Sequence, residues 1–582
     1  MSRLGLTLVT DSPLTLAQPE DAHTRAEWEA ATAAVLRKTR KLGDNDPDGA
    51  VWDKLTRTTL DGIGITPLGL PGVEPTPVRP TRQGAWDIRS LVSGPDAKLA
   101  NEAALVDLDG GVTSLAADEQ TDVAGVLAGV LLDLAPVVLD APSATTAVAE
   151  AFLALPGAKH PDSNLGIDPL GVMLREVPIA VDEAVAELQV LARKAHQNDV
   201  RAIVVDATAA HDLGASDAQE LGWSIAAGVA YLRWLTDHGL SVDEAAGQLE
   251  FRYAATDEQF PTIAKLRAAR VLWARVLELS GATATGQRQH AVTSRPMLSK
   301  YDPYVNMLRG TVAAFAAGVG GADAVTVLPF DSANGLPDAF GRRIARNVNH
   351  LLIDESHVAA VADPAGGAYA VEQLTADLAE AGWAEFQRLE QEWENGHDFD
   401  PFRARIAEVV AKREAEIARR KRPVTGLSEF PNLTEALPER APDPLNDRVR
   451  RYGASFEALR DEPAAKPVFL ATLGTIAQHT ARATFISNLL AAGGIAVEPA
   501  GATSGVEDLL AAYQGQPVVC LAGTDAAYGE WGAAAIAALR EAGAQHVIIA
   551  GKPDAVDAEV DDAAAMGVDA LAFLTATREK LA

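Results

Sequence analysis

PVFLATLGTIAQHTARATF (467–485) reads as a buried strand, a glycine turn and the start of a helix. Val468, Phe469 and Leu470 make a continuous apolar run, as in a parallel strand covered on both faces. Gly474 supplies the turn, and a helix is predicted over about 478–493. The alternation continues towards the C-terminus. IAVEPA (495–500), PVVCLAG (517–523), HVIIAG (546–551) and ALAFL (570–574) read as strands, with helices at 505–513, 529–542 and near 556–566. Five strands alternating with helices over 466–582 predict a flavodoxin-like, doubly wound sheet. Ligands of such sheets sit at the carboxyl ends of the strands, so the loop after 467–474 is the one to interrogate.

Upstream, residues 422–465 contain RPVTGLSEFPNLTEALPERAPDPLNDRVRRYG, with five prolines and little periodicity, and read as an extended linker. Before it, residues 61–421 alternate apolar strand-like runs with long helical stretches. VTSLAAD (112–118), PVVLDA (136–141), AIVVDATA (202–209), LEFRYA (249–254) and AVTVLPF (324–330) are candidate strands. Helices are predicted at 216–238, 260–280, 338–356 and 370–420. Alternation over this length suits a (β/α)8 TIM barrel better than an open sheet. Residues 1–60 read as an N-terminal helical arm for subunit contact, because TRAEWEAATAAVLRKTRKLG carries only a rough stripe of Trp28, Ala31, Ala34, Val35 and Leu36.

The formal net charge is −30, from 80 acidic and 50 basic residues, which repels nucleic acid and anionic membrane surfaces. No apolar run approaches ~18 residues, the length needed to span a bilayer. The first residues show no basic region followed by an apolar stretch, so a cytoplasmic location is expected. The single cysteine, Cys520, lies inside an apolar run and reads as a small core residue rather than a nucleophile. No Gly-x-x-x-x-Gly-Lys-Ser/Thr phosphate loop is present, which argues against a GTPase-type cofactor loader.

Three further stretches carry a resemblance. They are AWDIRSLV (85–92), IAKLRAARVLWARV (263–276) and FGRRIARNVNHLLIDESHVAAVADPAGGAYAVEQLT (340–375). The chain resembles the methylmalonyl-CoA mutase family, in particular the small, non-catalytic (beta) subunits of its bacterial heterodimeric forms, over most of residues 50–582. The resemblance implies a mutase barrel followed by a cobalamin-binding-type domain. Within the matching stretches, Gly366 and Gly367 suit a tight turn after Pro364. Lys265, Arg267 and Arg270 read as solvated or salt-bridged outer-face groups rather than substrate ligands.

The departures from the family pattern concern chemistry. A cobalamin bound base-off needs an imidazole below cobalt, a carboxylate behind it and a small residue beyond, at the spacing Asp-x-His-x-x-Gly. Those positions hold Ile476, Gln478 and Ala481. His479 is one residue late, with Ala477 two before it and Arg482 three after, and reads as a helix-N-terminal or surface histidine. The family's radical-control tyrosine is matched by Leu91, its acyl-contacting Tyr-His pair by Thr208 and Ala209, and a glutamine by His211. A lysine that supports the cobalt loop is matched by Thr472; in the nucleotide-tail pocket Ser-Ser becomes Ala522-Gly523 and Gly-Gly becomes Gly551-Lys552.

The resemblance therefore implies an isomerase subunit with no catalytic, cofactor-binding or metal residues of its own. Adenosylcobalamin and the acyl-CoA would sit on a larger catalytic partner, and this chain's barrel mouth is expected to be closed by side chains. Three alternatives stay open: a partner for a different acyl-CoA mutase, a binding or chaperone-like protein on the same scaffold, and an autonomous mutase using His479.

Overall fold

The computed structural model describes residues 22–118, 122–141, 145–177, 181–394 and 396–582. The sequence readings of the first 21 residues, on targeting and the start of the arm, lie outside these. The chain forms two compact units, residues 1–71 and 72–582. In the first, helix α1 (Arg25–Lys38) starts at a capping box in which Thr24 and Glu27 satisfy each other's backbone N–H. Its core is small: Ala33, Leu36, Leu42 and Val51, flanked by Trp28 and Trp52 with ring centroids 4.9 Å apart.

The second unit holds a closed barrel of eight parallel strands. They are β1 (Asp87–Val92), β2 (Ser114–Asp118), β3 (Val137–Asp140), β4 (Asn164–Ile167), β5 (Arg201–Asp206), β6 (Leu249–Ala255), β7 (Gln289–Thr293) and β8 (Ala324–Thr326). β8 pairs with β1 to close the cylinder. The alternation along β6 explains its composition. Phe251 and Tyr253 face the helices, with Phe251 4.7 Å from the Trp273 ring, while Glu250 and Arg252 face the axis. The barrel interior is thus partly ionic. Arg89 on β1 and Glu250 on β6 are fully buried and pair at 2.5 Å.

The resembling stretches brace this barrel. Lys265 reaches Asp217 at 2.8 Å and Glu220 at 2.6 Å, and Arg267 holds Glu372 at 2.6 Å together with Asp363. Arg270 donates to Gln289 and to the Gly320 carbonyl. All three cations are buried, so of the reading of solvated or salt-bridged groups the salt-bridged part holds for Lys265 and Arg267, and the solvated part is corrected. Helix Gln259–Leu279 lies under helix Tyr369–Glu392, and its cations meet carboxylates distant in sequence. Gly367, at φ +80°, makes the turn whose amide donates to Glu372. Arg342 and Arg346 both grip Asp107, and Asn349 accepts from the Trp86 indole at 2.9 Å.

The C-terminal body is a five-stranded parallel sheet: β9 (Val468–Thr472), β10 (Val497–Pro499), β11 (Val518–Ala522), β12 (His546–Ala550) and β13 (Asp562–Ala564), in the order β10-β9-β11-β12-β13. Two sequence readings are corrected here. The last strand is Asp562–Ala564, where a helix was expected, and ALAFL opens helix Ala570–Leu581 instead of forming a strand. A five-residue apolar run fits either structure, and Asp569 decides by capping the Ala572 amide at 3.0 Å. The proline-rich segment also contains a helix, Ala454–Asp461, that buries Phe456 and Arg460.

Candidate functional site

The carboxyl ends of the barrel strands, where barrel enzymes place their chemistry, enclose a cavity of about 110 Å³. Leu91, Ala116, Val204, Val292 and Leu328 give it an apolar wall. Into this space project Asp118, Asp140, Asp168, Asp206 and Asp212, opposed by Arg175, Arg252 and Arg295. Arg175 pairs with Asp206 at 2.7 Å, and Arg252 lies 3.2 Å from Asp140 and 3.5 Å from Asp206. Burial pushes the Asp206 carboxyl up, but Arg175 and Arg252 outweigh it and hold the group at about 2. At Asp168, burial and then neighbouring Asp206 outweigh the Tyr231 hydrogen bond and Arg175, and push the carboxyl up to about 7. It accepts from Tyr231 at 2.5 Å. His290 is held well below its ordinary value by burial and by Arg89 and Arg252, so it is neutral. Five aspartates thus face four arginines, Arg448 included, and burial pushes Asp212 up to about 6 as well.

A strap crosses the mouth. Leu445 and Arg448 line the cavity from the proline-rich segment, which is stitched to the barrel's loops. The Leu336 amide donates to Ala441, the Asn446 side chain to Ser332, the Arg450 amide to Asp212 and the Tyr452 amide to Pro296, all at 2.8–2.9 Å. Gly335, at φ +135°, lies so close that a Cβ there would stand 2.3 Å from the Ala441 carbonyl oxygen.

Leu91 is part of the cavity wall. Thr208 points its hydroxyl to Asp206 at 2.5 Å, and Ala209 is buried in the short helix Thr208–Asp212. His211 is remote from the cavity's lining: its Nε2 is 2.7 Å from the Ser294 hydroxyl and its Nδ1 is 3.4 Å from Glu220. Serine, imidazole and carboxylate in line resemble a nucleophile with its base. Ser294 is 1% exposed, however, and its oxygen already accepts from the Met297 amide, so no acyl group reaches it.

In the C-terminal body, the loop after β9 is folded back on itself. Gln478 accepts from the Thr475 amide and hydroxyl at 2.8 and 2.9 Å, closing a capping box, and covers Gly474, whose φ is +89°. Ile476 is exposed, and Ala477 and Ala481 carry no polar side-chain group. His479 is buried in the helix's first turn with no partner on Nδ1, so it is helix-N-terminal but not a surface residue. The Thr472 hydroxyl is spent on the Gly501 carbonyl at 2.5 Å. Cys520 is fully buried, and burial pushes its thiol well above the usual range.

The sequence model of methylmalonyl-CoA mutase matches residues 102–515. The chain belongs to the methylmalonyl-CoA mutase family. It is 44% identical to the methylmalonyl-CoA mutase small subunit of Streptomyces virginiae, over 99% of this chain and 100% of that one. It is 35% identical to the small subunit of Propionibacterium freudenreichii subsp. shermanii, over 98% and 97% of the two chains. A protein named simply methylmalonyl-CoA mutase, from Cereibacter sphaeroides, is 28% identical over 82% of this chain and 74% of its own.

The family is adenosylcobalamin-dependent, and the residues here do not fit that cofactor. The position where a cobalt ligand would stand is Gln478, engaged as a helix cap. The first turn of its helix contains no carboxylate to orient a ring. The carboxyl-end crevice beside it is occupied by Arg482. No reaction step is drawn through the cofactor on this chain. Of the residues in the family-matching stretches, Arg267, Arg346, Asp363 and Glu372 lie in buried or half-buried fold contacts, whereas Arg343, Asn347, Glu355, Ser356 and Tyr369 are exposed.

Proposed function

We propose that this chain is the small, non-catalytic subunit of a heterodimeric, cytoplasmic methylmalonyl-CoA mutase. A larger subunit carries adenosylcobalamin and the acyl-CoA and interconverts methylmalonyl-CoA and succinyl-CoA, while this chain supplies a structural interface. The observation that carries the reading is the strap over the barrel mouth. A mutase barrel must admit its substrate along the axis and exclude water around a radical, yet here Leu445 and Arg448 stand at that entrance.

The C-terminal body supports the same reading as a flavodoxin-like, cobalamin-type domain that has lost its ligand. Its strand order, second-first-third-fourth-fifth, is that of doubly wound flavodoxin-type sheets. We assign the first 60 residues to subunit contact. Among its described residues a core of four buried aliphatic side chains is too small to hold them folded alone, which supports a partner surface. Residues 61–421 then form the mutase barrel, 422–465 the connecting strap and 466–582 the retired cofactor domain.

Co-expression with a larger mutase subunit and size exclusion tests the assignment. One co-eluting 1:1 species is expected, and separate elution of the two chains contradicts it.

A further inference from the structure

The crevice at the carboxyl ends of β9 and β11 is the switch point of the sheet, where the strand order reverses and ligands of doubly wound folds lie. Here one side chain fills it. Arg482, on helix Ile476–Ala492, sends its guanidinium across to the third strand. It donates to the Gly523 carbonyl at 2.7 Å and to Asp525 at 2.5 Å. The same group lies 4.8 Å above the ring centroid of Tyr528. Tyr528 is itself pinned, its hydroxyl bridging the Leu521 and Ala550 carbonyls at 3.0 and 2.9 Å and accepting from the Gly523 amide. On the far side is Gly551, at φ +145°. The three heavy atoms nearest to where its Cβ would stand all belong to Arg482, at 3.5–3.7 Å.

Two features make this a filled groove rather than ordinary packing. Its far flank is a glycine, Gly551, so the backbone there leaves room that Arg482 takes up. Its floor is an aromatic face of the kind on which flat bases stack, at present covered by the guanidinium.

We infer that Arg482 is a stopper: it closes the C-terminal body's crevice against the nucleotide tail of a corrinoid, and shortening it reopens a groove for a benzimidazole-ribose-phosphate. The inference rests on reading this body as cobalamin-type. It adds to the missing ligand loop a second, independent exclusion, since a restored imidazole at 478 would leave the tail without a path. Arg482 is anchored by charge as well as by shape, with Asp525 and the Tyr528 ring holding it.

The test uses the full chain, as wild type and as Arg482→Gly, with 5,6-dimethylbenzimidazole ribonucleotide as the probe in equilibrium dialysis and flavin mononucleotide as comparator. Thermal melting establishes that the variant is folded, and Arg482→Ser carries the same comparison if the glycine variant is not. The expected result is binding of the benzimidazole nucleotide at least about tenfold tighter in the variant than in the wild type. Wild type binding the probe as tightly or more tightly would overturn the inference, because Arg482 would then be a phosphate ligand instead of a stopper. A folded variant that binds neither probe would overturn it too. A variant that takes flavin mononucleotide in preference to the benzimidazole supports the stopper and counts against the cobalamin-type reading of the body.

Discussion

Replacing Arg89 with methionine should show that the family's Trp-x-Ile-Arg segment works here as a pin through the barrel. Arg89 and Glu250 are wholly buried, with contacts of 2.5 and 3.3 Å between guanidinium and carboxylate, and Arg89 Nε donates to Ser114 at 2.9 Å. Breaking such a pair from one side typically costs about 3–5 kcal/mol, because the remaining charge stays buried. Glu250 keeps a second cation, Arg288 at 3.1 Å, so the lower end, about 3 kcal/mol, is expected. Arg89→Met and the double change Arg89→Met/Glu250→Leu would be compared by urea unfolding followed by near-ultraviolet dichroism. The double variant should recover much of the loss, since no carboxylate is stranded. The pH dependence carries a sign. Burial raises the Glu250 carboxyl, but Arg89 and then Arg288 outweigh it and hold it well below the usual range. Its contribution is therefore present above the unfolded carboxyl's pKa of about 4.3 and is lost as pH falls further. The gap between wild type and Arg89→Met should shrink in that acid range. A single-variant loss under about 1 kcal/mol at pH 7.5, or a double variant no better than the single, would refute the pin.

Two further outcomes follow from the barrel mouth. Asp168 sits at about 7 in the fold against about 3.9 when unfolded, so the folded state holds its proton longer and stability from this group falls as pH rises between those values. Asp168→Asn should stabilise the chain at pH 8 by on the order of 2 kcal/mol in thermal or urea unfolding, with the gain gone near pH 4. Gly335→Ala forces a Cβ against the Ala441 carbonyl at a left-handed φ, so the strap should lift and trypsin should cut faster at Arg448 and Arg450. Unchanged cleavage would mean that the strap is not held there.

Much of the architecture was legible because strand–helix alternation repeats so regularly, but its gaps have physical causes. β1, β4 and β7 were not singled out as strands. NLGI carries an inward asparagine and Gly166 at φ +70°, and QHAVT turns His290 towards the axis and Gln289 towards Arg270, so neither shows an apolar run. Lys265, Arg267 and Arg270 read as solvated or salt-bridged outer-face groups because their spacing follows a helix face. The carboxylates that bury Lys265 and Arg267, at 217, 220, 363 and 372, and the Gln289 and Gly320 groups that hold Arg270, are distant in sequence. The departure of residues 476–481 from Asp-x-His-x-x-Gly was readable since six consecutive positions carry it. The charged cavity was not, because Asp118, Asp140, Asp168, Asp206 and Leu445 meet only when the barrel closes and the strap crosses it. One local signal was available: Asp206 ends an otherwise apolar strand, an inward charge at the end of a barrel where chemistry is placed. Arg482 was visible as a residue three after His479, but nothing local announces that it reaches Gly523 and Gly551.

The central claim is that this chain holds no cofactor of its own, and titrating the purified chain with adenosylcobalamin tests it most directly. The expected result is no saturable binding and no change in the cofactor's absorption. Tight binding with the spectral shift of a displaced benzimidazole and a histidine on cobalt, abolished by His479→Ala, would contradict it.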